Sequence, residues 1–159
     1  MRRRSFIVCS LSVLILTFGC ATTAEKPADL KRTLILNKTK AELIKTLPAK
    51  LIAIDYVVSQ SAAADNVIST EWKFLFKKQI PLISKNYYSR LTLVLTDSGS
   101  DTMIHIIPKF EMRHHQSANP MNIYARGHDE TYSQEEYPWN FDKEMIDNEL
   151  SLVMKTIGG

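Results

Sequence analysis

Two segments in which apolar and polar residues alternate, joined by a short polar turn, constrain the fold of this chain most strongly. The first segment is Arg90–Thr96, the turn is Asp97–Asp101, and the returning segment is Thr102–Met112. Because successive side chains of a β-strand point to opposite faces of a sheet, this pattern predicts a β-hairpin with one apolar face. We expect the apolar face to carry Leu91, Leu93, Leu95, Ile104, Ile106, Phe110 and Met112, and the opposite face to carry His105 and Lys109.

A first amphipathic helix is predicted ahead of the hairpin. Thr39 and Glu42 have the spacing of a capping box, which marks a helix N-terminus. Pro48 is expected either to kink this helix or to divide it into two short pieces. Its predicted apolar positions are Leu43, Ile44, Leu47, Leu51 and Ile54.

A second amphipathic helix is predicted at the end of the chain. Either Asn140 or Asp142 can cap its N-terminus, and Gly158 is expected to stop it. Its apolar positions are Met145, Ile146, Leu150, Val153, Met154 and Ile157. This spacing gives one apolar stripe, which is suited to packing on a sheet.

Three further strands complete the predicted architecture: Arg32–Leu36, Tyr56–Val58 and Ile68–Phe76. In the last of these, the residues expected on one face are Ile68, Thr70, Trp72, Phe74 and Phe76. The prediction is an α+β fold, with an antiparallel sheet of about four to five strands and the helices packed on one face.

The N-terminal segment has the features of an export signal. Arg2–Arg4 is basic, Phe6–Phe18 is mostly apolar, and the segment is too short to cross a bilayer comfortably as a helix. Leu16–Cys20 resembles the bacterial lipobox, in which a small residue precedes a cysteine that becomes acylated. The resemblance implies cleavage before Cys20 and acyl chains on that residue, which together anchor a protein stably. By the same resemblance, Ala21 rather than Asp after the cysteine favours the outer membrane over the inner one.

Three parts of the chain are therefore expected. Residues 1–19 would be a lipoprotein signal peptide, 20–31 the acylated cysteine with a flexible tether, and 32–159 a single α+β periplasmic domain. Removal of the signal takes away three arginines, so the remaining 17 basic residues balance 17 acidic ones. This balance does not support binding of nucleic acid. Cys9 leaves with the signal and Cys20 carries lipid, so no intramolecular disulfide is expected.

Three segments that follow the first predicted strand and helix form a recognisable series: Tyr56-Val57-Val58, Ile68-Ser69-Thr70-Glu71-Trp72 and Arg90-Leu91-Thr92-Leu93-Val94. In this order, within residues 32–112, they resemble the helix-grip domains of BamC-type outer-membrane lipoproteins. The resemblance implies a helix-grip fold and a role as an accessory scaffold in an envelope complex for outer-membrane assembly. Asn66 stands where such proteins usually have glycine, and this chain has one predicted domain where BamC has two.

Catalytic and metal-binding patterns are weak in this sequence. His114, His115 and His128 are candidate metal ligands, with Asp129 or Glu130 completing a site, but their spacing matches no zinc motif. The sequence has no G-x-S-x-G motif and no Gly-rich phosphate loop. We therefore expect neither an enzyme nor a cofactor.

Aromatic residues suggest two binding surfaces. The segment Gln116–Trp139 is long and has the composition of a protein-contact surface, but it is equally consistent with an edge strand at Asn122–Arg126, in which case the aromatic residues simply cover the sheet. Its candidate contact residues are Tyr124, Arg126, Tyr132, Tyr137 and Trp139. In the alternative interpretation, a cavity between the sheet and the final helix, lined by Trp72, Phe74 and Phe76, binds a lipid or a small hydrophobic ligand. The same three residues are also predicted as plain core.

Overall fold

The computed structural model describes residues 29–62, 65–80, 83–116 and 128–159. Within these ranges, two helices pack on one face of a seven-stranded antiparallel sheet. The elements are β1 (Arg32–Leu36), α1 (Lys40–Ile52), β2 (Val58–Ala62), β3 (Val67–Thr70), β4 (Lys73–Ile80), β5 (Ile83–Ser98), β6 (Asp101–Gln116), β7 (His128–Ser133) and α2 (Lys143–Gly158), with a 3₁₀ turn at Pro138–Asn140. The predicted α+β class and antiparallel sheet are confirmed, although the sheet has more strands than predicted.

The predicted hairpin forms the centre of the sheet. Strands β5 and β6 pair without interruption from Ile83 opposite Gln116 to Ser98 opposite Asp101. The turn is tighter than predicted, and Gly99 takes a φ of 67°, a conformation that glycine adopts without steric cost. All seven residues predicted on the apolar face are buried, which confirms the alternation.

The other strands lie along the two outer edges of this hairpin. The order is β1-β6-β5-β3-β2, with β4 also pairing with β5 and β7 also pairing with β6. The free edge of β5 is thus shared by β3 and β4, and the free edge of β6 is shared by β1 and β7. Strand β7 lies within the segment Gln116–Trp139, and the edge strand predicted as an alternative there, Asn122–Arg126, lies outside the described residues.

The predicted strand Ile68–Phe76 is interrupted, and its register slips twice. Ile68 lies opposite Leu93, but Lys73 lies opposite Ser89, and a further irregularity at Leu75 precedes the pairing of Phe76 with Tyr87. Each slip of one residue moves the following side chains to the other face of the sheet. The predicted common face therefore ends after Thr70.

The prediction that Phe74 and Phe76 are core residues on one face is wrong. Phe74 packs against Tyr88, whereas Phe76 stacks on Tyr87, and these neighbouring tyrosines point to opposite faces. Phe74 and Phe76 are 53% and 36% exposed. The irregularity at Leu75 separates them, because it inserts one extra residue between their partners.

Both helices have the predicted caps. The backbone N–H of Glu42 donates to the Thr39 hydroxyl at 3.3 Å, and the N–H of Thr39 donates to the Glu42 carboxylate at 2.9 Å. Helix α1 is continuous, so Pro48 does not divide it. Asp142, one of the two predicted caps, accepts from the N–H of Glu144, and α2 continues through Gly158, one residue further than predicted.

The core consists of two clusters that α2 joins. One cluster contains Leu93 and residues of α1, together with Val153 and Ile157 of α2. The other contains Phe110 and Met112, together with Ile146 and Leu150 of α2. In the described part of the chain, no helix is long and apolar enough to cross a membrane. The predicted signal peptide, Cys20 and most of the predicted tether lie outside the described residues.

Candidate functional site

A buried polar network joins α2 to the sheet. Lys73 donates to Glu149 at 2.9 Å, and the Tyr56 hydroxyl donates to the same carboxylate at 2.7 Å. Ser89 is 2.5 Å from the Tyr56 hydroxyl, whose own hydrogen is engaged by Glu149, so Ser89 is the donor. Burial raises the pKa of Tyr56, and the negative charge of Glu149 raises it further.

This network was not predicted from the sequence. The sequence does contain a signal for a buried charge. Glu149 lies three residues after Ile146 and four before Val153, and therefore on the apolar stripe of α2. The hydroxyls of Tyr56 and Ser89 are enclosed in the core, so a substrate cannot reach them in this conformation. The network therefore fixes the position of α2 on the sheet.

An exposed aromatic cluster, consisting of Tyr132, Tyr137 and Trp139, lies at the end of the domain where the chain enters β1. The ring centroids of Tyr132 and Tyr137 are 5.0 Å apart, and those of Tyr137 and Trp139 are 5.7 Å apart, both edge to face. Trp139 is 74% exposed and Tyr137 is 37% exposed. The hydrogen bond that Tyr132 donates to Glu130 raises the pKa of Tyr132 and fixes its ring.

A groove of about 370 Å³ adjoins this aromatic cluster. In this groove the first described residues, Asp29 and Leu30, lie next to Trp139 and the start of α2. Its lining includes Leu30, Arg32, Trp139, Phe141, Lys143 and Ile146. The cluster and the groove together form a surface with aromatic and aliphatic side chains and a polar rim, the composition of protein-contact sites. Tyr124 and Arg126, the other two predicted contact residues, lie outside the described residues.

Trp72 lies on the outer face of the sheet, meaning the face opposite the helices. There it lines a groove of about 270 Å³ with Lys109, Glu111 and Thr131. Phe74 is on the same face, where the guanidinium carbon of Arg113 lies 4.3 Å from the ring centroid of Tyr88. Arg113 also donates to Glu111 at 2.6 Å, and this hydrogen bond raises the pKa of Arg113. The sequence prediction had placed Trp72 under the final helix.

A second groove, of about 560 Å³, runs between β4 and α2. Its lining includes Phe74, Phe76, Met145 and Leu152, with the Lys73–Glu149 ion pair at one side. Phe74 and Phe76, two of the three residues predicted for a ligand cavity, thus border an open groove beside α2. Trp72 is not part of this groove.

The histidines form two separate pairs with acidic residues. His115 contacts Asp129 on the outer face, whereas Nδ1 of His114 lies 3.8 Å from Glu130 on the face that the helices cover. His114 and His115 therefore do not contribute to a common site. Nε2 of His114 is buried without a hydrogen-bond partner in the described structure. No group of three or more potential ligands for a metal ion occurs among the described residues, and the His128 side chain lies outside them.

Comparison of the chain with protein-family models and with curated protein sequences finds no match. Among the exposed large apolar side chains of the described residues, Trp139 has the largest exposed fraction. The aromatic cluster therefore places the most exposed of these side chains beside a groove.

Proposed function

We propose that this protein is a lipid-anchored periplasmic lipoprotein of the outer membrane, and that it acts as a non-catalytic scaffold within an envelope complex. The lipid anchor follows from the arginines of the N-terminal segment, the apolar run and Gly19-Cys20. The helix-grip relationship to BamC-type lipoproteins belongs to the same proposal. An antiparallel sheet with a helix across one face is consistent with that relationship.

The observation that carries the scaffold role is the exposure of the aromatic cluster. A tryptophan that is 74% exposed beside a second exposed aromatic ring is costly in water, and such residues are frequent among the few that dominate binding energy at interfaces. The adjoining groove gives a partner side chain a place to insert.

The contact surface is tested by crosslinking in intact cells, followed by identification of the crosslinked neighbours. We expect the variant Tyr137→Ala/Trp139→Ala to lose the specific neighbours of the wild-type protein while keeping its circular dichroism spectrum. Phe74→Ala is the matched control, because it removes an exposed aromatic ring from a different surface. Neighbours that are unchanged in the double variant would show that the cluster is not the contact.

The anchor is tested separately, by replacing Cys20 with serine and fractionating the cells. The proposal predicts loss of the processed, membrane-bound form, because serine cannot form the thioether to lipid. A variant that still sediments with envelopes at the normal processed size would contradict lipidation at Cys20.

The groove between β4 and α2 supports a second candidate function, the binding of a lipid or small hydrophobic ligand. Its volume of about 560 Å³ lies within the range of ligand sites, and Phe76, Met145 and Leu152 supply apolar walls. Native mass spectrometry of the detergent-released lipoprotein should then show an additional bound mass. Leu152→Arg should abolish that mass, and a wild-type protein without any adduct would contradict this function.

A further inference from the structure

The hairpin formed by β4 and β5 up to Arg90 has an unusual charge composition. We call residues 73–80 and 83–90 the basic hairpin, because they contain five basic residues and no acidic one. Two of the five have partners, since Lys73 bonds to Glu149 and Arg90 donates to the carbonyl of Thr70. In the described part of the chain, the side chains of the other three, Lys77, Lys78 and Lys85, make no hydrogen bond and no ion pair.

The pairing of the two strands places like charges together. Lys78 lies directly opposite Lys85 in the β4–β5 register. Like charges in directly opposed positions of an antiparallel pair destabilise the sheet. An anion bound between the two ammonium groups would reduce this repulsion.

Apolar side chains accompany these lysines on the same face. Phe76 and Ile80 are two residues before and after Lys78, so they share its face, and they are 36% and 40% exposed. An exposed surface that combines lysine with phenylalanine and isoleucine is typical of segments that lie in the headgroup region of a membrane.

The opposite charge is concentrated elsewhere in the domain. Residues 129–149 contain eight acidic residues and one lysine. Strand β4 pairs with β5 and β7 pairs with β6, so the basic strand and the acidic strand form opposite edges of the same end of the sheet, with β5 and β6 between them. An anionic surface therefore attracts the β4 edge and repels the β7 edge, which orients the domain with β4 towards that surface.

We propose that the basic hairpin docks on an anionic phospholipid bilayer, with lysines at lipid phosphates and with Phe76 and Ile80 at the boundary of the acyl region. The inference rests on the proposed lipid anchor, which brings the domain to the membrane. Cys20 precedes Arg32 by twelve residues, a chain that spans at most about 40 Å. On β6, Arg32 pairs with Ile106, and Ile83, at the end of the basic hairpin, pairs with Gln116. These two positions on β6 are ten residues apart, which corresponds to about 34 Å along the strand. The anchor therefore allows the hairpin end to reach the bilayer.

The experiment is hydrogen–deuterium exchange of the full lipidated protein in vesicles, with the amides of residues 73–90 as the readout. We expect exchange in β4 to slow several-fold on phosphatidylcholine vesicles that contain phosphatidylglycerol, compared with phosphatidylcholine alone. High salt should reduce this difference, because salt screens exposed charges. Lys78→Glu/Lys85→Glu, which reverses the two facing charges, should abolish it. Lys38→Glu/Lys45→Glu, which makes the same charge change at exposed positions near and on α1, should keep it.

Exchange that is equal on the two kinds of vesicle would overturn the proposal, as would a difference that persists in Lys78→Glu/Lys85→Glu. Co-sedimentation with vesicles of phosphatidylcholine alone reports the lipid anchor independently of the hairpin. A protein that does not co-sediment with them contradicts the anchor. A protein that co-sediments but shows no protection by phosphatidylglycerol contradicts the hairpin docking alone.

Discussion

Glu149 shows at the scale of a single residue how a charge is kept inside this fold. The side chains of Glu149 and Lys73 are both about nine-tenths buried, and the Lys73 ammonium nitrogen lies 2.9 Å from the Glu149 carboxylate. Glu149→Ala would leave Lys73 and the Tyr56 hydroxyl buried without their acceptor. We expect the free energy of unfolding to fall by about 3 kcal/mol, the usual cost of breaking a buried pair.

The matched control for this substitution is Asp147→Ala on the same helix. Asp147 pairs with Lys143 four residues earlier, and the Lys143 side chain is largely exposed. Removing an exposed pair of this kind should cost at most about 0.5 kcal/mol. Denaturant unfolding of both variants measures the difference, and equal losses of stability would contradict the role given to Glu149.

Tyr56 makes the free energy of unfolding decrease at alkaline pH. An ordinary tyrosine ionises near pH 10, whereas burial and Glu149 keep the folded Tyr56 protonated beyond that pH. Above about pH 10 the unfolded state therefore binds fewer protons than the folded state, and the free energy of unfolding falls as the pH rises. Below that pH the contribution of Tyr56 is fully present.

The corresponding test compares wild type with Tyr56→Phe in urea at about pH 8 and about pH 11. We expect the variant to be less stable at the lower pH, because it lacks the hydrogen bond to Glu149. Its further loss of stability at the higher pH should be smaller than that of wild type. Tyr87, whose pKa burial also raises, remains in both proteins and cancels in the comparison. Identical alkaline losses would contradict the assignment to Tyr56.

At the scale of secondary-structure elements, α1 contains a feature that reduces its stability. Pro48 has no backbone N–H to donate to the carbonyl of Ile44, and its ring crowds that carbonyl. Pro48→Ala should raise the free energy of unfolding by about 1–3 kcal/mol. Thermal unfolding measures this gain, with the exposed Ala49→Ser as a control for an ordinary change in the same helix. An unchanged or lower melting temperature would show that the helix accommodates Pro48 without cost.

The elements that the sequence predicts well are those whose signals are local. The capping box at Thr39 and Glu42 acts over three residues, and the alternation in β5 and β6 needs only the pleat of a strand. The two register slips along β3 and β4 cannot be predicted from the local sequence, because they depend on which residue of β5 lies opposite each position. For this reason the sequence places Phe74 and Phe76 on one face, whereas the structure places them on two.

The candidate site was predictable only in part for the same reason. Composition identifies Tyr132, Tyr137 and Trp139 as surface aromatic residues, but their contacts with one another require β7 to pair with β6. Strand β7 is polar in sequence and forms by pairing with a distant edge, which no period in its own residues reveals. The partners of Glu149 are likewise contributed by β4 and by Tyr56, at positions that the sequence alone does not bring together.

At the scale of the whole molecule, two elements connect parts of the core that are otherwise separate. The long β5–β6 hairpin contributes Leu93 to one cluster and Phe110 to the other. Helix α2 contributes Val153 to the first cluster and Leu150 to the second. A protein built in this way should unfold as one unit, because neither cluster can open without displacing α2 or the hairpin.

Leucine-to-alanine substitutions at these two sites test that cooperativity. Leu93 and Leu150 are both buried, so each substitution removes the same atoms and should lower the free energy of unfolding by about 2–5 kcal/mol. For both variants we expect a single transition, with the same midpoint by far-ultraviolet circular dichroism and by tryptophan fluorescence. If Leu150→Ala instead produced an early transition by fluorescence while most of the circular dichroism signal persisted, the Phe110–Met112 cluster would be an independent unit. The aromatic cluster would then open together with this unit and separately from the rest of the sheet, because Tyr132 packs on the Phe110–Met112 cluster.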